Sequence, residues 1–179
     1  DECGVCSGDN STCTGCTDDS ANNFDVDAIV NAGCLYTYHV PDEGIQTIQA
    51  AIDLANDGDS ILVSPGTYYE NLSISESIIL QSTDIYQNAL TIIQAPENGS
   101  VISIMGGSSP IISGFTIANG WAQYGGGIHI QSSSPTLSRL LIIGNYADEY
   151  GGGIYMEESI ADISNITVVG NQATSNGTG

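Results

Sequence analysis

Positive charge is what this chain most lacks. Among 179 residues there is one Arg, Arg139, and no Lys, against 21 acidic residues, for a formal net charge of −20. Without cations to neutralise phosphates, nucleic acid is excluded as a partner, and so is electrostatic attachment to an anionic membrane. No apolar run reaches the 18 or so residues that cross a bilayer, which excludes membrane insertion by a helix. Large aromatics are sparse: Phe occurs twice and Trp once. The apolar 41% is mostly Ile, Val and Leu, which suits strands packed in narrow layers better than a bulky aromatic core. Cysteine is absent after residue 34, so any disulfide framework is confined to the N-terminal segment.

Glycine is abundant, and its placement is periodic. Gly125-Gly126-Gly127-Ile128-His129-Ile130 returns 26 residues later as Gly151-Gly152-Gly153-Ile154-Tyr155-Met156, and Gly177 opens a third copy. A period of this length marks a solenoid. Gly114-Phe115-Thr116-Ile117 aligns with Arg139-Leu140-Leu141-Ile142 and with Asn165-Ile166-Thr167-Val168, in steps of 25 and 26. Phe115, Leu140 and Ile166 should therefore stack, as should Ile117, Ile142 and Val168. Glycine in every coil implies a positive φ or a close backbone approach. Asn145 and Asn171, also in register, predict an asparagine ladder between coils. Earlier strand runs are 72–74, 77–81, 90–94, 101–105 and 110–113, each bounded by Gly, Pro, Asn or Ser.

Before the coils, Ile45, Ile48, Ile52 and Ala55 recur at helical spacing, predicting an amphipathic helix over about 45–56 with Asp42 as N-cap and Asn56-Asp57-Gly58 as its stop. Such a helix would cover the open first coil. Coils over about 60–179 amount to just under five, a rod of roughly 23 Å at about 4.8 Å per coil. Exposed parallel strands would end it.

Ile48-Gln49-Ala50-Ala51-Ile52, Gly58-Asp59 and Val63-Ser64-Pro65-Gly66-Thr67-Tyr68, with Glu70-Asn71, resemble the opening segment of the right-handed parallel β-helix (pectin-lyase-like) superfamily. The resemblance implies an all-β right-handed solenoid with a short capping helix over residues 41–179. It leaves activity open, because catalytic and non-catalytic members share the fold.

Residues 1–40 read as a separate Cys-rich segment. Two Cys-x-x-Cys pairs, Cys3/Cys6 and Cys13/Cys16, are too close for a usual structural zinc site, and disulfides are the more natural use in an exported chain. Cys3-Gly4-Val5-Cys6-Ser7-Gly8-Asp9, and Gly15-Cys16-Thr17-Asp18 through Gly33-Cys34-Leu35-Tyr36, resemble a linker found in large secreted proteins of Bacteroidetes-like bacteria. That resemblance implies a Cys16–Cys34 pair, leaving Cys3, Cys6 and Cys13 as further disulfide candidates, one with a partner upstream. It also implies a secreted or cell-surface location, with the chain a monomeric piece of a longer protein that begins before residue 1. Asp18, Asp19, Asp25 and Asp27 are weak calcium candidates without an EF-hand spacing, and Asx-turns are the favoured account of them. No cofactor other than calcium is implied.

A ligand is best accommodated where the repeat varies, between the Asn and the Gly triplet. Trp121-Ala122-Gln123-Tyr124 lies over Tyr146-Ala147-Asp148-Glu149-Tyr150, a corner loop in which Trp121 pairs with Tyr146 and Tyr124 with Tyr150. Stacked rings beside carboxylates suit sugar faces. Trp121, Tyr124, Tyr146, Tyr150, Asp148 and Glu149 are therefore the glycan-binding candidates. The alternative is a polysaccharide-degrading enzyme, a lyase, hydrolase or esterase. The paired carboxylates that glycosidases need are not evident, since neighbours in a strand point to opposite faces and the doublets Asp148-Glu149 and Glu157-Glu158 would be split. His39 falls in the linker and His129 on a strand. The expectation is a non-catalytic glycan-binding or adhesion module.

Overall fold

The computed structural model describes residues 14–84 and 90–174. Cys3, Cys6, Cys13 and Gly177 lie outside them. Two short strands, β1 (Thr14–Gly15) and β2 (Val30–Asn31), pair in the N-terminal segment. The expected disulfide is present between Cys16 and Cys34. Asp18 and Asp25 are occupied in turns: Asp18 Oδ1 accepts from the Ser20 amide and hydroxyl, and Asp25 Oδ1 from the Asp27 amide. The Tyr36 hydroxyl also donates to Asp18 Oδ2. Among the described residues no three His, Cys, Asp or Glu side chains group as a metal site would.

The rest is a parallel β-solenoid of about five turns. The first sheet stacks β3 (Thr37–Val40), β4 (Ser60–Val63), β7 (Ile79–Ser82), β10 (Ile111–Ser113), β14 (Thr136–Ser138) and β18 (Asp162–Ser164). The second stacks β5 (Gly66–Tyr69), β8 (Thr91–Gln94), β11 (Thr116–Ala118), β15 (Leu141–Ile143) and β19 (Thr167–Val169). The third holds β6 (Leu72–Ile74), β9 (Ile102–Ile104), β13 (Ile128–Gln131) and β17 (Ile154–Glu157). The later coils add a fourth, of β12 (Trp121–Tyr124), β16 (Tyr146–Tyr150) and β20 (Gln172–Ala173). Here the sequence reading needs correction, for the expected corner loops are paired strands. A second difference concerns His39, which sits in β3 opposite Leu62, so the first sheet begins before Pro41.

In-register pairing places like on like. Ile61, Leu80, Ile112, Leu137 and Ile163 form one column, and Ile93, Ile117, Ile142 and Val168 another. Phe115 and Leu140 are fully buried between sheets. Full burial of each such side chain is worth roughly 1.5–3 kcal/mol, and the β-branched ones suit the pleat. In the last described coil Ile163, Val168 and Val169 are about half exposed.

At the other end α1 (Ile48–Leu54) buries Ile48, Ala51 and Ile52 against β3, β4 and β6. It is shorter than the periodicity predicts, and its N-cap is Thr47, not Asp42. Asp42 instead exchanges backbone bonds with Ile45, which turns the chain before the helix begins. The Thr47 side chain accepts from the Ala50 amide. The amides of Ile48 and Gln49 are taken by the two carboxylate oxygens of Glu70, at 2.9 and 2.8 Å. A negative charge at this end is favoured by the exposed N–H groups and the helix dipole.

Candidate functional site

Trp121 opens β12 and pairs with Tyr146 of β16, followed by Ala122 with Ala147. The register then slips, and Tyr124 pairs with Tyr150. The slip accommodates the extra residue of the 26-residue step as a bulge, with two residues opposite one. Asp148 and Glu149, adjacent in sequence, both bond side chains of β12. The Trp121 Nε1 donates to Asp148 Oδ1 at 3.1 Å, and the Gln123 Nε2 to Glu149 Oε1 at 2.6 Å. Trp121 and Gln123, two residues apart, share a face of the strand, and Tyr124 alternates to the other.

The Tyr124 hydroxyl donates to Glu149 Oε2 at 2.9 Å. The hydrogen bonds from Gln123 and Tyr124 hold the Glu149 carboxyl below its ordinary value, and Glu149 in turn pushes the Tyr124 phenol up. A proton donor at neutral pH needs the opposite shift. Glu149 is thus a fixed acceptor.

The rings of Tyr124 and Tyr150 are nearly parallel, 4° apart, with centroids at 6.0 Å. Tyr155, from β17, lies 5.0 Å from Tyr124 at 26° and 6.4 Å from Tyr150 at 22°. In a column the outer two rings would stand apart by the sum of the other two distances. They do not: the three centroids form a near-equilateral triangle, so the near-parallel rings cluster with none between the other two. Trp121 meets Tyr146 edge to face, at 5.2 Å and 71°. The expected pair is therefore present but not flat-stacked, and Trp121 is 53% exposed.

Tyr155 and Gln123 were absent from the sequence-derived set. The Gly triplet brings Tyr155 to Tyr150. Gly151 takes φ +65°, and a Cβ at Gly152 would strike the Gln172 backbone, so only glycine lets the chain turn this tightly between sheets. The one available signal was the short spacing of Tyr150 and Tyr155 across that triplet. His129, paired with Tyr155, tilts against Tyr124 and Tyr155, with Nε2 buried and without a hydrogen-bond partner.

Two further groups are structural. Asn145 is buried and donates from Nδ2 to the Ile117 carbonyl and to Asn171 Oδ1, while its own Oδ1 accepts from the Gly120 amide. Asn171 repeats the contact one coil on, to the Ile142 carbonyl. Arg139 turns the corner between the first and second sheets at φ +50°, a conformation shared by Gly114 and Asn165 in the adjoining coils. Its Nη2 donates to the Ser113 hydroxyl at 2.6 Å.

Comparison with protein-family models, curated proteins and solved structures found no match for this chain.

Proposed function

We propose that the chain is a non-catalytic right-handed parallel β-helix module of a secreted or cell-surface protein that binds glycan, in adhesion or attachment, across the Trp121–Tyr155 surface. The observation that carries this is a cluster of three near-parallel rings, Tyr124, Tyr150 and Tyr155, at one end of the β12–β16 pair and the exposed Trp121 against Tyr146 at the other, with Asp148 bonded to Trp121 and Glu149 to Tyr124. Flat aromatic faces pack on the C–H faces of sugar rings, and Tyr adds a polar handle. The carboxylates accept from sugar hydroxyls. Their setting in a paired sheet makes the surface rigid before any ligand arrives, which lowers the ordering cost of binding. Right-handedness accords with the strong preference of parallel crossovers, and the disulfide with an oxidising compartment.

The test is a glycan array probed with the parent protein, Trp121→Ala, Tyr146→Ala and Tyr155→Ala. Each substitution should weaken a bound glycan about tenfold or more, at roughly 1.4 kcal/mol per tenfold. No glycan bound, or variants equal to the parent, would refute the reading.

A further inference from the structure

Resting on that glycan reading, we infer that the surface selects uncharged glycans and turns away chains bearing uronate or sulfate groups. Beside the bulge in β16, Asp148 is bonded to Trp121 and Glu149 to Gln123 and the Tyr124 hydroxyl, so a carboxylate stands at each group of rings. Both are acceptors when ionised. Glu149 is kept ionised by Gln123 and Tyr124. Asp148 has one oxygen engaged by Trp121, which leaves acceptor capacity on an exposed side chain. A ligand lying on the rings must therefore bring hydrogen-bond donors to these carboxylates, as sugar hydroxyls do. An anionic sugar would bring a like charge.

Neither Lys nor Arg stands at this surface to compensate that charge. The chain's single Arg is Arg139, on the corner between the first and second sheets and bonded to Ser113, whereas the rings lie where the third and fourth sheets meet. There is no Lys. The net charge of −20 adds a repulsive field for any polyanion.

The experiment compares a neutral gluco-oligosaccharide with a galacturonate oligomer of equal length, titrated into the protein with a chelator present so that no metal bridges the charges. The neutral sugar should bind at least about tenfold tighter at about 0.01 M salt, and the gap should close toward about 1 M, where screening shortens to about 3 Å. The double variant Asp148→Asn/Glu149→Gln should narrow the gap at low salt. Uronate binding equal to or tighter than neutral, or a preference indifferent to salt, would overturn the inference. If the uronate binds and Trp121→Ala abolishes it, the glycan reading stands and only the selectivity falls. If neither sugar binds and the array is also blank, both fall.

Discussion

Gln49 occupies the place of a missing strand beside Ser73. Its Oε1 accepts from the Ser73 amide at 2.9 Å and its Nε2 donates to the Ser73 carbonyl at 3.2 Å. β6 is the outermost strand of the third sheet, so its outer edge would otherwise offer these groups for pairing. One side chain of the capping helix completes the ladder.

Gln49→Ala should therefore expose that edge. Two partly solvated hydrogen bonds are lost, at a cost of roughly 1 kcal/mol in urea unfolding. Amide exchange at Ser73 should quicken while Ile102 and Ile104, deeper in the same sheet, keep their protection. Unchanged exchange at Ser73 would show that Gln49 does not close the edge.

Asn145 is the costlier loss. Asn145→Ala leaves the Gly120 amide without its partner in a buried corner and removes one of the two bonds to the Ile117 carbonyl, which keeps its place in the β11–β15 ladder. An orphaned buried group costs about 1–3 kcal/mol, so a loss of that order is expected. Asn171→Ala, one coil nearer the open end and only half-buried, should cost less than half as much. The two denaturation midpoints give the order, and a reversed order would contradict the ladder's role.

Glycines that look alike in sequence should respond differently. A Cβ at Gly126 would meet the Tyr146 carbonyl oxygen, which is backbone and cannot yield. At Gly144 it would find Asn119 Oδ1 at 3.7 Å, with only a φ of +66° to penalise it. Gly144→Ala should cost about 1–2 kcal/mol in left-handed strain. Gly126→Ala should cost more, about 3 kcal/mol or beyond, or give insoluble protein. Equal thermal stability of the two variants would argue against close coil packing at the triplet.

The Glu149 clasp should open in acid. Its folded pKa is depressed, so its contribution is complete above the ordinary glutamate value of about 4.3 and is lost as pH falls through the folded value. Tyr124 has a raised folded pKa; its contribution is complete below the ordinary tyrosine value of about 10 and is lost as pH rises through the folded value. Tyr124 ring resonances should thus hold steady between about pH 5 and 9 and shift at both ends. Glu149→Gln should abolish the acid limb. An acid limb identical in the variant would place its origin elsewhere.

Some residues announced these roles and others did not. Asn145, Asn171 and the aligned Gly114, Arg139 and Asn165 recur at the coil period, so their stacking was visible in the sequence. Gln49, Glu70 and Tyr155 act across the period: Glu70 lies 22 residues from Ile48, and Gln49 lies 24 from Ser73. No repeat predicts such pairs, because they depend on where a helix lies across a coil. The N-cap was misplaced for a related reason. Asp42 has the right chemistry, but the chain still has a turn to make before Thr47.

By itself the sequence determined the solenoid, since a 25- to 26-residue period of strands and glycine can bury its Ile columns only by stacking coil on coil. It also determined the formal net charge of −20. Only the tertiary structure decided the outer surface. The one-residue difference between coils became a bulge, with Asp148 bonded to Trp121 and Glu149 to both Gln123 and Tyr124. The turn at Gly151 had to close before Tyr155 could join Tyr124 and Tyr150. Periodicity specifies what repeats, and this surface is made from what does not.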